Sequence, residues 1–241
     1  MRLTKILAGL AVLACTSVAG AATTYNGNGN TGFGGAVGTG SVTLSDDGTT
    51  LSGTWTRGAG NANDVLVLYI DAMNGGFTDT SGFTDNIDAL RRAISGFNGG
   101  DRSALTFPTG FDADYAIALG PKAANFGGFF TLASGGAHTY GTNGSNGSAN
   151  LSPVGTESAS SYTFSIPLSL IGSPTSFDLF GTYIADSGFR STEFVAGTAT
   201  GTQGHNAFTG TSNGTYVVPE PGSLTLLALG AVGLLRRRRV A

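Results

Sequence analysis

Apolar and polar residues alternate through Ser41-Val42-Thr43-Leu44 and again through Thr50-Leu51-Ser52-Gly53-Thr54-Trp55-Thr56, with Asp46-Asp47-Gly48 between them. A period of two on either side of a turn predicts a β-hairpin with one face in the core, and it places Trp55 inside. Residues 64–71 (Asp-Val-Leu-Val-Leu-Tyr-Ile-Asp) are a continuous apolar run bounded by acids, the pattern of a central strand covered on both faces. Further strands are predicted over residues 114–119, 128–132, 161–166, 176–184, 192–195 and 214–218. Helix is confined to a short segment over 86–95, with Asp or Asn at its start and Arg91-Arg92 toward its end, and to one turn over 167–172 that begins with proline and ends with glycine. Many short strands with turn punctuation predict an all-β fold, an antiparallel β-sandwich of jelly-roll type with one or two short helices.

Glycine supplies 40 of the 241 residues, well over its usual share of about 7%. Apolar and aromatic residues are nevertheless too regularly grouped for a disordered matrix polymer. The glycines concentrate in locally simple stretches, so residues 22–40 are expected to be a flexible Gly/Asn-rich lead and 141–150 a long surface loop. Cys15 is the one cysteine, which leaves the domain to be held by its core rather than by disulfides.

The two ends read as addresses. Arg2 and Lys5 precede an apolar run over 6–14, and Ala19-Gly20-Ala21 supplies small residues for cleavage, the form of a secretory signal peptide over 1–21. A competing lipobox reading begins at Cys15, with Leu13 bulky for its position. At the other end, Pro219-Glu220-Pro221 is followed by an uncharged apolar run over 223–235 and then by Arg236-Arg237-Arg238-Arg239. Thirteen residues span about 20 Å as helix, short of a hydrocarbon core of about 30 Å, and the arginines hold the terminus in the cytoplasm. This order closely resembles the PEP-CTERM sorting signal of Gram-negative exosortase substrates. The resemblance implies export, a transient inner-membrane anchor, and processing by an exosortase-like enzyme near Pro219-Glu220-Pro221. It also implies release or attachment at the cell surface or in an extracellular matrix, with exopolysaccharide and biofilm as associations. The expected layout is 1–21 signal peptide, 22–40 lead, 41–218 sandwich and 219–241 sorting tail.

Removal of both ends leaves six basic residues against fourteen acidic ones over 22–218, a net charge of −8. Nucleic acid is excluded as a partner, because phosphate binding needs a basic footprint. Only His138 and His205 could act as a base near neutral pH, and both fall in Gly/Ala/Thr/Asn-rich segments where solvated positions are expected. No nucleophile elbow, zinc motif or phosphate loop is present. Paired carboxylates for glycoside hydrolysis could come from Asp71, Asp112, Asp114, Asp178 or Glu193, although strand-end aspartates ordinarily cap turns and Glu193 beside Arg190 reads as a structural ion pair. The reading favoured is that the domain is not an enzyme.

Calcium is the ion that suits this composition, with Asp71, Asp79, Asp85, Asp112 and Asp114 as candidate ligands on loops, although none follows a dedicated calcium-loop spacing. Sugar binding would use exposed aromatics, for which Phe77 and Phe83 are the candidates. Arg91, Arg92 and Arg102 are expected to answer acids inside the fold, through a fork to Asp64, Asp71 or Asp114. Residues 64–71, 90–96, 110–119, 126–132 and 181–193 look like segments of secreted bacterial β-sandwich proteins. The Asp112-Ala113-Asp114-Tyr115-Ala116 element is similar to sandwich domains related to carbohydrate-binding and DOMON-type modules, a likeness of fold from which no activity follows. The alternative to a sorted, non-enzymatic surface protein is therefore a secreted carbohydrate-binding module or polysaccharide-processing enzyme.

Overall fold

The computed structural model describes residues 21–122, 126–140 and 156–219, so the expected signal peptide, most of the sorting tail and the loop over 141–150 lie outside the described residues. In chain order the elements are β1 (Thr23–Asn26), β2 (Ser41–Asp46), β3 (Thr50–Thr56), β4 (Val65–Asp71), α1 (Ala89–Ser95), β5 (Phe97–Asn98), β6 (Asp101–Arg102) and β7 (Leu105–Thr106). They continue with β8 (Tyr115–Gly120), β9 (Phe126–Thr131), β10 (Thr139–Tyr140) and β11 (Ser161–Pro167). A 3-10 turn (Leu168–Ile171) follows, then β12 (Ser176–Ile184), β13 (Arg190–Val195), β14 (Gly197–Gly201) and β15 (Phe208–Val217).

One sheet runs β1-β2-β3-β11 and the other β10-β9-β8-β4-β12-β15-β14, with β13 added beside β12 and β7 beside β15. The ladders are antiparallel except β7 with β15, and the all-β sandwich expected from alternation is what forms. β4, predicted as the central strand, lies between β8 and β12 and buries both faces: Leu66, Leu68 and Ile70 enter one core, Val65, Val67 and Tyr69 another. The first core fills the space between the sheets and contains Trp55, whose indole Nε1 donates to the Ala36 carbonyl at 3.2 Å. The second lies beneath α1 and the loops that carry Phe83, Phe107 and Phe111. Full burial of each such aromatic contributes roughly 2–3 kcal/mol.

Asp88 caps α1 by accepting the Arg91 amide at 2.9 Å, and Gly96 ends it with φ 58°, a left-handed conformation in which a Cβ would also sit 2.4 Å from the Ser103 carbonyl oxygen. Residues 22–40, expected as a flexible lead, are instead an ordered part of the sandwich. Thr23–Asn26 pairs with β2, Ala36 and Val37 are buried, and the loop between closes around the Glu193 carboxylate. Low sequence complexity concealed this, because the loop is held by its main-chain amides, which every residue type except proline carries.

Candidate functional site

Three places concentrate polar chemistry. The first is a buried serine–histidine pair: Ser95 Oγ lies 3.1 Å from His138 Nε2, the pairing of nucleophile and base in hydrolases. Its surroundings fix it as structure. His138 Nδ1 accepts the Ala133 amide at 3.2 Å, which leaves the ring proton on Nε2, so the ring donates to Ser95 instead of withdrawing its proton. Asp85 receives the His138 main-chain amide at 3.0 Å and pairs with the Arg91 guanidinium at 3.3 Å, rather than orienting the ring. Burial pushes His138 down to about 4, and the ring stacks edge-on against Phe83 at 4.6 Å. His138 is thus 2% exposed, not the solvated loop residue its neighbours in sequence suggested, whereas His205 is exposed as expected.

The same cluster absorbs other expected site residues. Phe83 is fully buried and Phe77 packs on it at 4.9 Å, so neither is a free sugar-stacking platform; both belong to the satellite core beneath the loops. The arginines also differ from expectation. Arg91 pairs with Asp85 and Asp88, Arg92 with Asp186, and Arg102 lies over the Phe97 ring at 4.6 Å, so none forms the fork to Asp64, Asp71 or Asp114. Arg190 and Glu193 do not pair either, because three residues along a strand place them on opposite faces. Arg190, wholly buried, donates to Thr182 Oγ1 and the Ser103 carbonyl, while Glu193 accepts four main-chain amides.

The second place is an acidic rim at the ends of β4 and β8. Asp114 accepts the Ala72 and Met73 amides at 2.9 and 2.8 Å, and Asp71 Oδ2 accepts the Asp112 amide at 2.9 Å. Asp71 stands directly opposite Asp178 in the β4–β12 register, and together they line a cavity of about 440 Å³ with Asn74 and Ser176. Burial first, and then the charges of Asp114, Asp178 and Asp112, hold the Asp71 carboxyl above the usual carboxylate range. Of the calcium candidates, Asp71, Asp112 and Asp114 gather here, Asp85 belongs to the histidine cluster, and Asp79 caps a turn at Ser81. Among the described residues no group of three acidic, histidine or cysteine side chains is placed to hold a metal.

The third place is a groove of about 290 Å³ between the N-terminal strand and the β14–β15 hairpin, lined by residues 25–28, 196–198 and 212–214. No charged side chain lines it. Sequence reasoning passed over it because residues more than 150 positions apart build it, and Asn, Gly, Ser and Thr give no local signal in a chain rich in all four.

The sorting motif is visible at its threshold. Val217 pairs with Ser176, the Val218 amide donates to the Thr175 carbonyl at 2.9 Å, and Pro219 follows directly. Glu220, Pro221 and Arg236–Arg239 lie outside the described residues, among which no helix is long and apolar enough to cross a membrane. Residues 217–239 match the family described as the PEP-CTERM protein-sorting motif. No curated protein and no solved structure matches the chain. The motif supports export and sorting, with a C-terminal membrane anchor before processing by an exosortase-type enzyme.

Proposed function

We propose that the sandwich is the passenger of a sorted surface protein: exported, held briefly in the inner membrane by its tail, cut near Pro219-Glu220-Pro221, and then released or attached outside the cell, where it acts by binding within a polysaccharide matrix rather than by catalysis. The motif match over 217–239, joined without a spacer to the last strand of the sandwich, carries this reading. The geometry around His138 supports the non-enzymatic part, since its tautomer cannot activate Ser95.

The test is the intact mass of the protein recovered from membrane and extracellular fractions of its native host. A species that begins near Ala22 and ends near Pro219 is expected outside the cell. An extracellular species that keeps Arg236–Arg239 would refute the processing, and one that begins at an acylated Cys15 would replace the expected leader.

One observation favours a second reading, a polysaccharide-processing enzyme. Asp71 and Asp178 stand directly opposite one another and line the same cavity, two carboxylates at one cleft, and burial holds the Asp71 carboxyl above its usual range, the direction a general acid needs. Release of reducing ends that disappears in both Asp71→Asn and Asp178→Asn would establish it in place of the first.

A further inference from the structure

We propose that the charge-free groove between Tyr25 and Asn213, together with the outer face of the four-stranded sheet that begins at its rim, is a binding site for a neutral polysaccharide. This rests on the matrix-binding reading above and names the site and the ligand class within it.

The groove offers what a sugar needs. Asn213 lines it and Asn26, facing outward from β1, stands at its rim, and neither carboxamide makes a hydrogen bond among the described residues. Each therefore presents a free donor and a free acceptor, the pair that engages vicinal hydroxyls. The Tyr25 ring forms part of the wall, its hydroxyl tied to the Thr215 carbonyl at 2.7 Å, so the ring is fixed in place before any ligand arrives. Gly214 keeps the groove open beside Tyr25, and packing allows a side chain at neither Gly214 nor Gly197. A Cβ at Gly197 would lie 2.6 Å from the Ser212 carbonyl oxygen, and one at Gly214 would lie 2.8 Å from the Tyr25 ring.

The site continues beyond the groove. Asn26 is also the first member of an outward row that runs through Ser41, Thr56 and Ser161 across all four strands. The next row is made wholly of threonine, Thr24–Thr43–Thr54–Thr163, with the Thr24 and Thr43 hydroxyls 2.9 Å apart. Outward strand positions ordinarily carry lysine and glutamate, and edge strands use such charges to resist pairing. Here a domain of net charge −8 keeps this one sheet face free of both signs. An acidic polymer finds no cation in the groove or on this face, and a basic one finds no anion. Strands about 4.8 Å apart with rows about 6.8 Å apart give a two-dimensional array of hydroxyls for a neutral chain to lie along.

The experiment is native affinity electrophoresis of the full chain in detergent, through gels that contain dextran, galactomannan or alginate, and the neutral and acidic polysaccharide fractions from the native host's culture. The neutral host fraction is expected to retard the protein. Asn26→Ala with Asn213→Ala should weaken that retardation at least tenfold without changing the melting temperature, while Asn26→Gln retains part of it. Thr56→Lys should weaken binding of the polymer while leaving that of its short oligosaccharides. No retardation by any neutral polymer, unaltered retardation of the double variant, or stronger retardation by alginate would each overturn the proposal. Localisation of parent and variants by cell fractionation reads the sorting separately, so loss of binding in the double variant with normal export supports the site, and absence of binding in a normally exported parent refutes only the site.

Discussion

The Oε2 of Glu193 accepts the Val37 amide at 2.9 Å across 156 residues of chain. The same carboxylate also takes the amides of Phe33, Gly35 at 3.1 Å and Gly38 at 3.0 Å, and no water reaches it. Glu193→Gln exchanges two acceptor sites for donors that face other donors, and Glu193→Ala orphans all four amides. Either change should cost about 3 kcal/mol or more in denaturant unfolding, with faster hydrogen exchange confined first to residues 33–38. Equal exchange in variant and parent would show that the loop is held by something else.

Phe164 lies across from Gly53 in the β3–β11 ladder, and a Cβ at Gly53 would sit 2.0 Å from the tip of the ring. The glycine makes room for the aromatic. Gly53→Ala is therefore expected to destabilise by about 2 kcal/mol through overpacking, and most of that cost should vanish in the background of Phe164→Leu. Additive losses in the double-mutant cycle would contradict direct contact as the cause.

Strand identity was legible because alternation is a local property. Residues 41–46, 50–56, 65–71 and 176–184 carry their burial in their own order, and Pro167 with Gly172 bracket the 3-10 turn as read. β1 and β14 were missed, since their exposed Thr, Gly and Asn residues become strands only through the partners they meet. Sites were less legible for the same reason. His138 looks solvated from its neighbours and is enclosed by Phe83, Ser95 and Ala133, while Arg190 and Glu193 look paired and face opposite ways. The Asp71–Asp178 relationship is a register fact that no single segment records.

Two titrating groups, one buried and one partly exposed, should give opposing pH dependences. His138 stays neutral in the fold down to about 4, whereas the unfolded chain protonates it near the ordinary 6.5, so stability falls as pH drops between those values. Burial, with the charge of Asp186, pushes Asp64 up to about 6 from the ordinary 3.8, so its contribution is lost as pH rises through that window. The full effect of His138 is about 3 kcal/mol, and that of Asp64, partly exposed, is about 1 kcal/mol after screening. Urea unfolding at pH 4.5, 5.5 and 7 should therefore show a flattened profile for His138→Gln. Asp64→Asn should gain stability over the parent at pH 7 and none at pH 4. An unchanged slope in His138→Gln would remove the histidine from the account.

The last strand should decide how much chain the fold can lose when the tail is cut. Tyr216 is fully buried, its hydroxyl donates to Asp46 Oδ2 at 2.6 Å, and Val217 and Val218 close the ladder against Ser176 and Thr175. Beyond Val218 the described chain reaches only Pro219, so a cut in the Pro219-Glu220-Pro221 segment leaves every one of these contacts in place. A chain that stops at Pro219 is thus expected to melt with the full-length protein. One that stops at Asn213 loses a buried aromatic and four ladder positions and should fall by about 4 kcal/mol or fail to fold. If instead the Pro219 chain were the unstable one, the sandwich would depend on its sorting tail, and a processing step that removes the tail would release an unfolding protein rather than a finished one.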